Sequence, residues 1–181
     1  TPPFKDRGGV TDEYVDIFRK LWTGKPVSYQ GEHYSFEEVI CEPVPIQQPG
    51  PPIWIGGHSN PALRRVAKLG DGWHPVGATA ASPLPPAEMR EKLDKIKGMM
   101  DANGRDFSKL EISYKAPFYD GGIPPEGEER RLFTGCKDAA LSDIAEFEAL
   151  GVDELVFDFR ADTVSQALDR MQQFGEDIIN A

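Results

Sequence analysis

The short apolar run Ile53-Trp54-Ile55 leads straight into Gly56-Gly57-His58-Ser59-Asn60-Pro61, the sharpest local feature of the chain. Two glycines leave room for a ligand against the backbone and reach dihedrals that other residues avoid. The free amides of a helix starting around Ser59 to Leu63 point into the same space and favour an anion. Ser59 adds a hydroxyl and His58 a donor, so Gly56, Gly57, His58 and Ser59 together suit a cofactor phosphate. The competing reading is a tight strand-to-helix turn capped by Ser59 or Asn60, with no ligand. This is not the dinucleotide-binding fingerprint, because no G-x-G-x-x-G is present.

Trp73 and His74 stand at the outlet of the next apolar segment, where side chains of a parallel barrel reach its working face. Trp73 can wall a flat ring system, and His74 can donate to a ligand oxygen or move a proton near neutral pH. In the bland alternative Trp73 is core and His74 a satisfied neighbour. Arg160, beyond the final strand, can clamp an anionic substrate or cofactor group, or else pair at the surface with Asp158 or Asp162. Thr134-Gly135 before a helix is a second candidate anion nest, although ordinary capping explains it. Tyr114 and Lys115 are adjacent in a strand, so at most one of them points inward. His33, His58 and His74 lie on different elements and form no metal-ligand spacing. Cys136 has no sequence partner to activate it, and Ser59, His74 and Asp71 lack the spacing of a nucleophile elbow.

The elements that must position these residues follow from periodicity and punctuation. A helix is predicted over 12–22 with Thr11 as its N-cap, then a hairpin around Gln30-Gly31. Residues 40–52 hold five prolines in ICEPVPIQQPGPP and read as a stiff crossing segment. From Ile53 onward strand and helix alternate: strands at 53–55, 71–76, 110–118 and 153–159, each followed by an apolar-striped helix. In the last helix Val164, Leu168, Met171, Phe174 and Ile178 are expected to face inward. The segments 77–86 and 119–131 read as irregular loops, the latter mobile. Four strand–helix units imply an α/β fold with a parallel sheet. The expected architecture is half of a (β/α)8 TIM barrel, four C-terminal βα units preceded by a helix and a β-hairpin. A half-barrel has two raw edges to cover, and association of two copies would cover them, so a homo-oligomer is expected. The alternative is a small open α/β sheet.

Composition narrows the partners. With 30 acidic against 20 basic residues the net charge is -10, which disfavours nucleic acid and anionic membranes. A hydrophobic fraction of 39% and a charged fraction of 28% fit a soluble globular domain. Two cysteines without a zinc or disulfide framework point to a reducing, cytoplasmic setting.

PPIWIGGHSNPALRRVAKLGDGWHP at 51–75 resembles the central signature of the bacterial luciferase-like monooxygenase family, more closely its deazaflavin (F420)-dependent branch. TDEYVDIFRKLWTGKPVSYQGEHYSFEEV at 11–39 resembles the helix and hairpin before that signature, and ALGVDELVFDF resembles the last barrel strand. The likeness covers essentially all of residues 1–181, read as the C-terminal portion of the family's domain, with Thr1 just past the N-terminal half of the barrel. The resemblance implies a TIM barrel carrying F420, or alternatively FMN, at the C-terminal ends of its strands. It implies hydride transfer or monooxygenation of a small-molecule substrate. On the matching positions Gly56, Gly57, His58 and Ser59 would lie near the cofactor phosphate, with Trp73 and His74 close to the pocket. The competing function is a non-catalytic half-barrel that serves as a structural or assembly domain.

Overall fold

The computed structural model describes residues 3–79, 82–118 and 130–180. A 3-10 turn, Phe4–Asp6, feeds helix α1, Arg7–Leu21. The helix therefore starts well ahead of the Thr11 cap read from sequence. The Thr11 hydroxyl instead donates to the Arg7 carbonyl at 2.8 Å, inside the helix. Gly9 explains the extension: a Cβ there would come within 3.0 Å of His33 Nε2, so glycine lets the helix run past the hairpin. That hairpin, β1 (Val27–Gln30) and β2 (Ser35–Val39), is antiparallel. Its turn is held by one carboxylate: Glu13 of α1 accepts the amides of Glu32, His33 and Tyr34 at 2.7, 3.0 and 3.1 Å.

After the proline-rich crossing come β3 (Trp54–Gly56), α2 (Asn60–Leu69), β4 (Gly72–His74) and α3 (Pro86–Ala102). Between β4 and α3 the chain makes a small antiparallel hairpin, β5 (Ala78–Thr79) and β6 (Ser82–Pro83), where sequence showed only an irregular loop. Then follow β7 (Glu111–Phe118), α4 (Lys137–Ala149), β8 (Glu154–Asp158) and α5 (Val164–Phe174). The segment 119–129, expected to be a mobile loop, lies outside the described residues. Strands β3, β4, β7 and β8 form one parallel sheet in that order, an α/β arc of four βα units matching part of a (β/α)8 barrel. None of the described helices is long and apolar enough to cross a membrane.

Two aspartates set the register of the sheet by the same device. Asp71, just before β4, donates its amide to the Ile53 carbonyl at 2.8 Å and accepts the Ile53 amide on its carboxylate at 2.9 Å. Asp153, just before β8, does the same to Ile112, at 2.7 and 2.8 Å. Each clamp fixes where one strand begins against another. That matters because slipping a strand by one residue turns every side chain to the wrong face.

Side chains alternate across the sheet. On one face Ile55, Trp73, Ile112, Tyr114 and Ala116 are buried against α2, α3 and α4, where Val66, Met89, Ile96, Met100 and Phe147 complete the core. The other face carries Trp54, Gly56, His74, Glu111, Ser113, Lys115 and Glu154. Parallel sheets ordinarily bury both faces and read as near-continuous apolar runs. A face of histidine, carboxylates, lysine and tryptophan departs from that rule, and departures of this kind mark functional surfaces.

Helix α5 corrects the sequence reading. It starts just after Thr163, which closes a capping box with Gln166. Its stripe does not face inward, however: Val164, Leu168 and Met171 are 77%, 58% and 52% exposed. Phe174 helps anchor the helix, 4.7 Å from Phe157 and 5.3 Å from Phe159 between ring centroids, and Arg170 donates to the Arg160 carbonyl at 2.5 Å. Periodicity locates an apolar stripe, whereas the anchoring contact decides where that stripe turns.

Candidate functional site

The open face presents one row of residues across the sheet. Gly56 pairs with His74, the register of β4 on β7 continues to Ser113, and Ser113 pairs with Glu154. His74 Nδ1 lies 2.9 Å from Ser113 Oγ, and Ser113 Oγ donates to Glu154 Oε1 at 3.2 Å. Trp54 stacks beside His74, with centroids 6.1 Å apart and planes inclined by 28°, and its indole donates to Glu111 Oε2 at 2.8 Å. A hollow of about 380 Å³ opens at the strand starts, lined by Trp54, Glu111, Ile112, Asp153 and Glu154.

Above this row, β3 ends at Gly56-Gly57. A Cβ on Gly56 would meet only the His74 carbonyl oxygen, at 3.7 Å, so the backbone there is open to an approaching ligand. Gly57 takes φ +82, which glycine adopts without penalty. Its carbonyl is held at 2.8 Å by the Trp73 indole N–H. Helix α2 follows with Ser59 in the cap position, Pro61 in the first turn, and no hydrogen bond from the Ser59 side chain back to the helix. The Ser59 hydroxyl is exposed and its helix start has no side-chain cap from that residue. His58 is half-buried and lies close enough to Glu88 of α3 to help hold that carboxyl below its usual range, although Lys92 bonded to Glu88 is the larger cause.

The structure thus pairs Gly56 with His74 on one face of the sheet, with Gly57 and Ser59 in the turn just beyond the end of β3. Trp73 goes elsewhere. Its side chain is fully buried on the helix-covered face, so it does not wall the open face and instead props the glycine bend from beneath. Adjacent strand residues cannot share a face, so His74 and Trp73 could not both line the pocket. The same alternation sends Tyr114 into the core, where its hydroxyl donates to the Leu84 carbonyl at 3.1 Å and burial pushes its ionisation up. Lys115 takes the open face. Thr134 is not a free nest, since its hydroxyl donates to the Arg131 carbonyl at 2.7 Å.

Arg160 lies past β8, at the opposite edge of the sheet from β3. Three strand spacings, roughly 14 Å, separate the two edges. Its guanidinium Nε donates to Asp158 Oδ2 at 2.6 Å, and its amide donates to Asp158 Oδ1 at 2.9 Å. Those bonds, the amide first, hold the Asp158 carboxyl below the usual carboxylate range. Because the folded value is lowered, the stabilisation is present above the ordinary carboxylate range and is lost as pH falls through the lowered value. Arg160→Ala is expected to move the Asp158 titration partway back up, followed by carboxyl NMR. An unmoved titration would mean that the backbone amide alone holds it.

Trp54, Glu111, Ser113 and Glu154 did not stand out from sequence. Trp54 was hidden inside an apolar tripeptide, and Ser113 inside the strand LEISYKAPF. The available signal was alternation, which places Glu111, Ser113 and Lys115 on one face once Tyr114 is assigned to the core. Among the described residues no cluster of three or more His, Cys, Asp or Glu side chains is placed to hold a metal ion.

A family model described as luciferase-like monooxygenase matches residues 2–154. An uncharacterized protein of Mycobacterium tuberculosis is 34% identical over 103 residues, covering 57% of this chain and 33% of that protein. The fold is shared with an F420-dependent secondary alcohol dehydrogenase solved with an F420-acetone adduct, at TM-score 0.74 and 16% identity over 99% of this chain and 63% of that one. It is shared too with a riboflavin lyase solved with modified FMN and riboflavin, at TM-score 0.72 and 11% identity over 99% of this chain and 58% of that one. The chain thus spans about three fifths of each solved chain, and its match spans a third of the mycobacterial protein. The reading of the likeness as one to the family's C-terminal half alone is overturned by the family match, which takes in almost the whole chain and ends at the first residue of β8. With the first three βα units and the glycine bend falling inside that match, the chain belongs to the luciferase-like monooxygenase family.

Proposed function

We propose that this chain carries the phosphate-holding side of the cofactor site of an F420-dependent oxidoreductase, with FMN as the alternative cofactor, acting on a small organic molecule. The observation that carries this reading is the open Gly56-Gly57 bend, set against an α2 start that Ser59 does not cap. Two exposed glycines, an exposed hydroxyl and uncapped helix amides fit the anionic tail shared by both cofactors. When bound, the cofactor supplies hydride transfer, or oxygen chemistry in the case of FMN. Gly56 lets the tail approach the backbone, Ser59 offers it a hydroxyl, and the Trp73 indole keeps the bend in place. His58 borders the same turn. His74, two residues above the strand start on the open face, is the side chain placed to exchange a proton with a bound ligand. Arg160 is committed to Asp158 and stands at the far edge of the sheet; it is proposed only as a contact for a substrate reaching that edge.

The preference for F420 rests on the likeness of residues 51–75 to that branch. The test is direct titration of the chain with F420 and, separately, with FMN, followed by ring absorbance and fluorescence. Micromolar binding of F420, weakened by Gly56→Val, is expected. Tighter binding of FMN would reverse the choice of cofactor. No binding of either at millimolar concentration would favour the structural, non-catalytic role for this chain.

A further inference from the structure

The row His74–Ser113–Glu154 bears on which nitrogen of His74 carries the proton. A carboxylate can only accept, so the contact between Ser113 Oγ and Glu154 Oε1 at 3.2 Å uses the one hydrogen that the hydroxyl has. Ser113 Oγ then has only lone pairs left for His74, whose Nδ1 is 2.9 Å away. For that second contact to be a hydrogen bond, Nδ1 must be the donor. Ser113 is fully buried, and its hydroxyl has these two partners among the described residues. The Trp54 ring beside His74 limits rotation of the imidazole away from the row.

We propose that Ser113 and Glu154 are positioning residues that lock neutral His74 as the Nδ1–H tautomer, so that its Nε2 faces the open side of the sheet as a proton acceptor. The site therefore takes a ligand that brings an O–H or N–H group to His74, and a bare carbonyl is mismatched there. If the proton is transferred, the ligand's O–H or N–H bond breaks, its electron pair stays on the ligand heteroatom, and a new N–H bond forms at Nε2. The imidazolium formed keeps its Nδ1–H bond to Ser113, behind which stands the Glu154 carboxylate. This inverts the simplest expectation for His74, that it donates to a ligand oxygen.

The inference rests on the reading that the ligand meets the open face, yet it is tested on the chain without cofactor. The chain is labelled with ¹⁵N-histidine, the His74 signals are identified by their loss in His74→Gln, and the imidazole nitrogens are read by NMR at neutral pH. The expected pattern is a protonated, pyrrole-type Nδ1 and a lone-pair, pyridine-type Nε2. Glu154 is exposed, so Glu154→Ala leaves the core untouched while freeing the Ser113 hydrogen to point at His74. That variant is expected to exchange the two nitrogen signatures, and Ser113→Thr to preserve the wild-type pattern. An Nε2–H imidazole in the wild-type chain, or a tautomer indifferent to Glu154→Ala, overturns the proposal. A failed F420 and FMN titration alongside the expected tautomer would overturn the cofactor reading and leave this one standing.

Discussion

Trp73→Ala is expected to destabilise the chain by about 3–5 kcal/mol, the usual cost of emptying a large buried aromatic site. The side chain is fully buried and belongs to the core cluster shared by β3, α2, α3 and β7. Its neighbours Ile55 and Ile112 are fixed by strand register, so they cannot collapse fully into the space. Trp73→Phe separates packing from the hydrogen bond. It keeps most of the ring but leaves the Gly57 carbonyl without its 2.8 Å donor. An unpaired polar group of this kind costs about 1–3 kcal/mol, less where water reaches it. Urea unfolding reads both variants. If the bend holds a cofactor phosphate, Trp73→Phe should also weaken F420 binding by more than its loss of stability predicts, because the glycine bend loses its support from below. Equal stability of Trp73→Phe and wild type would show that the indole N–H does not hold the bend.

The second large effect is expected at Asp143, nearly buried in α4. Its carboxylate accepts two guanidinium bonds from Arg130, at 2.6 and 2.7 Å, and the buried amide of Phe133 at 2.6 Å. Phe133 is a non-glycine residue at φ +61, so this carboxylate holds a segment whose backbone is itself unfavourable. The ring of Phe133 in turn packs 5.2 Å from Phe147 and 5.3 Å from Phe157, linking α4 to β8. Asp143→Ala orphans the Phe133 amide and the guanidinium together, and a loss of about 3 kcal/mol is expected. Arg130 is about a third exposed and can turn to water, which keeps the figure below that of a fully enclosed pair. Asp143→Asn keeps an acceptor for Phe133 and should recover part of the loss. Equal losses for the two variants would assign the effect to charge alone.

Much of the fold was legible because it depends on local signals. Gly104, Gly151 and Thr163 mark helix ends by local signals, since positive φ and cap chemistry are properties of single residues. The alternation of apolar strands and striped helices carried the parallel sheet. The β5–β6 hairpin escaped because two-residue strands have no periodicity to read. The early start of α1 escaped because Gly8-Gly9 disfavours a helix locally, whereas tertiary contacts such as the Arg65 guanidinium on the Gly8 carbonyl at 3.0 Å hold it.

By itself, the order of residues determined the four βα units, the glycine bend and the helix that follows it, because each arises within a few bonds of backbone. Only the tertiary structure decided which side of the sheet each residue serves. Helical cover claimed Trp73 and Tyr114, and alternation then left His74 and Ser113 facing the open side. It decided too that Glu154, remote in sequence, meets Ser113, and that α5 turns its stripe outward. A strand's own sequence states that its side chains alternate; which alternate set is buried depends on the surface that packs against it.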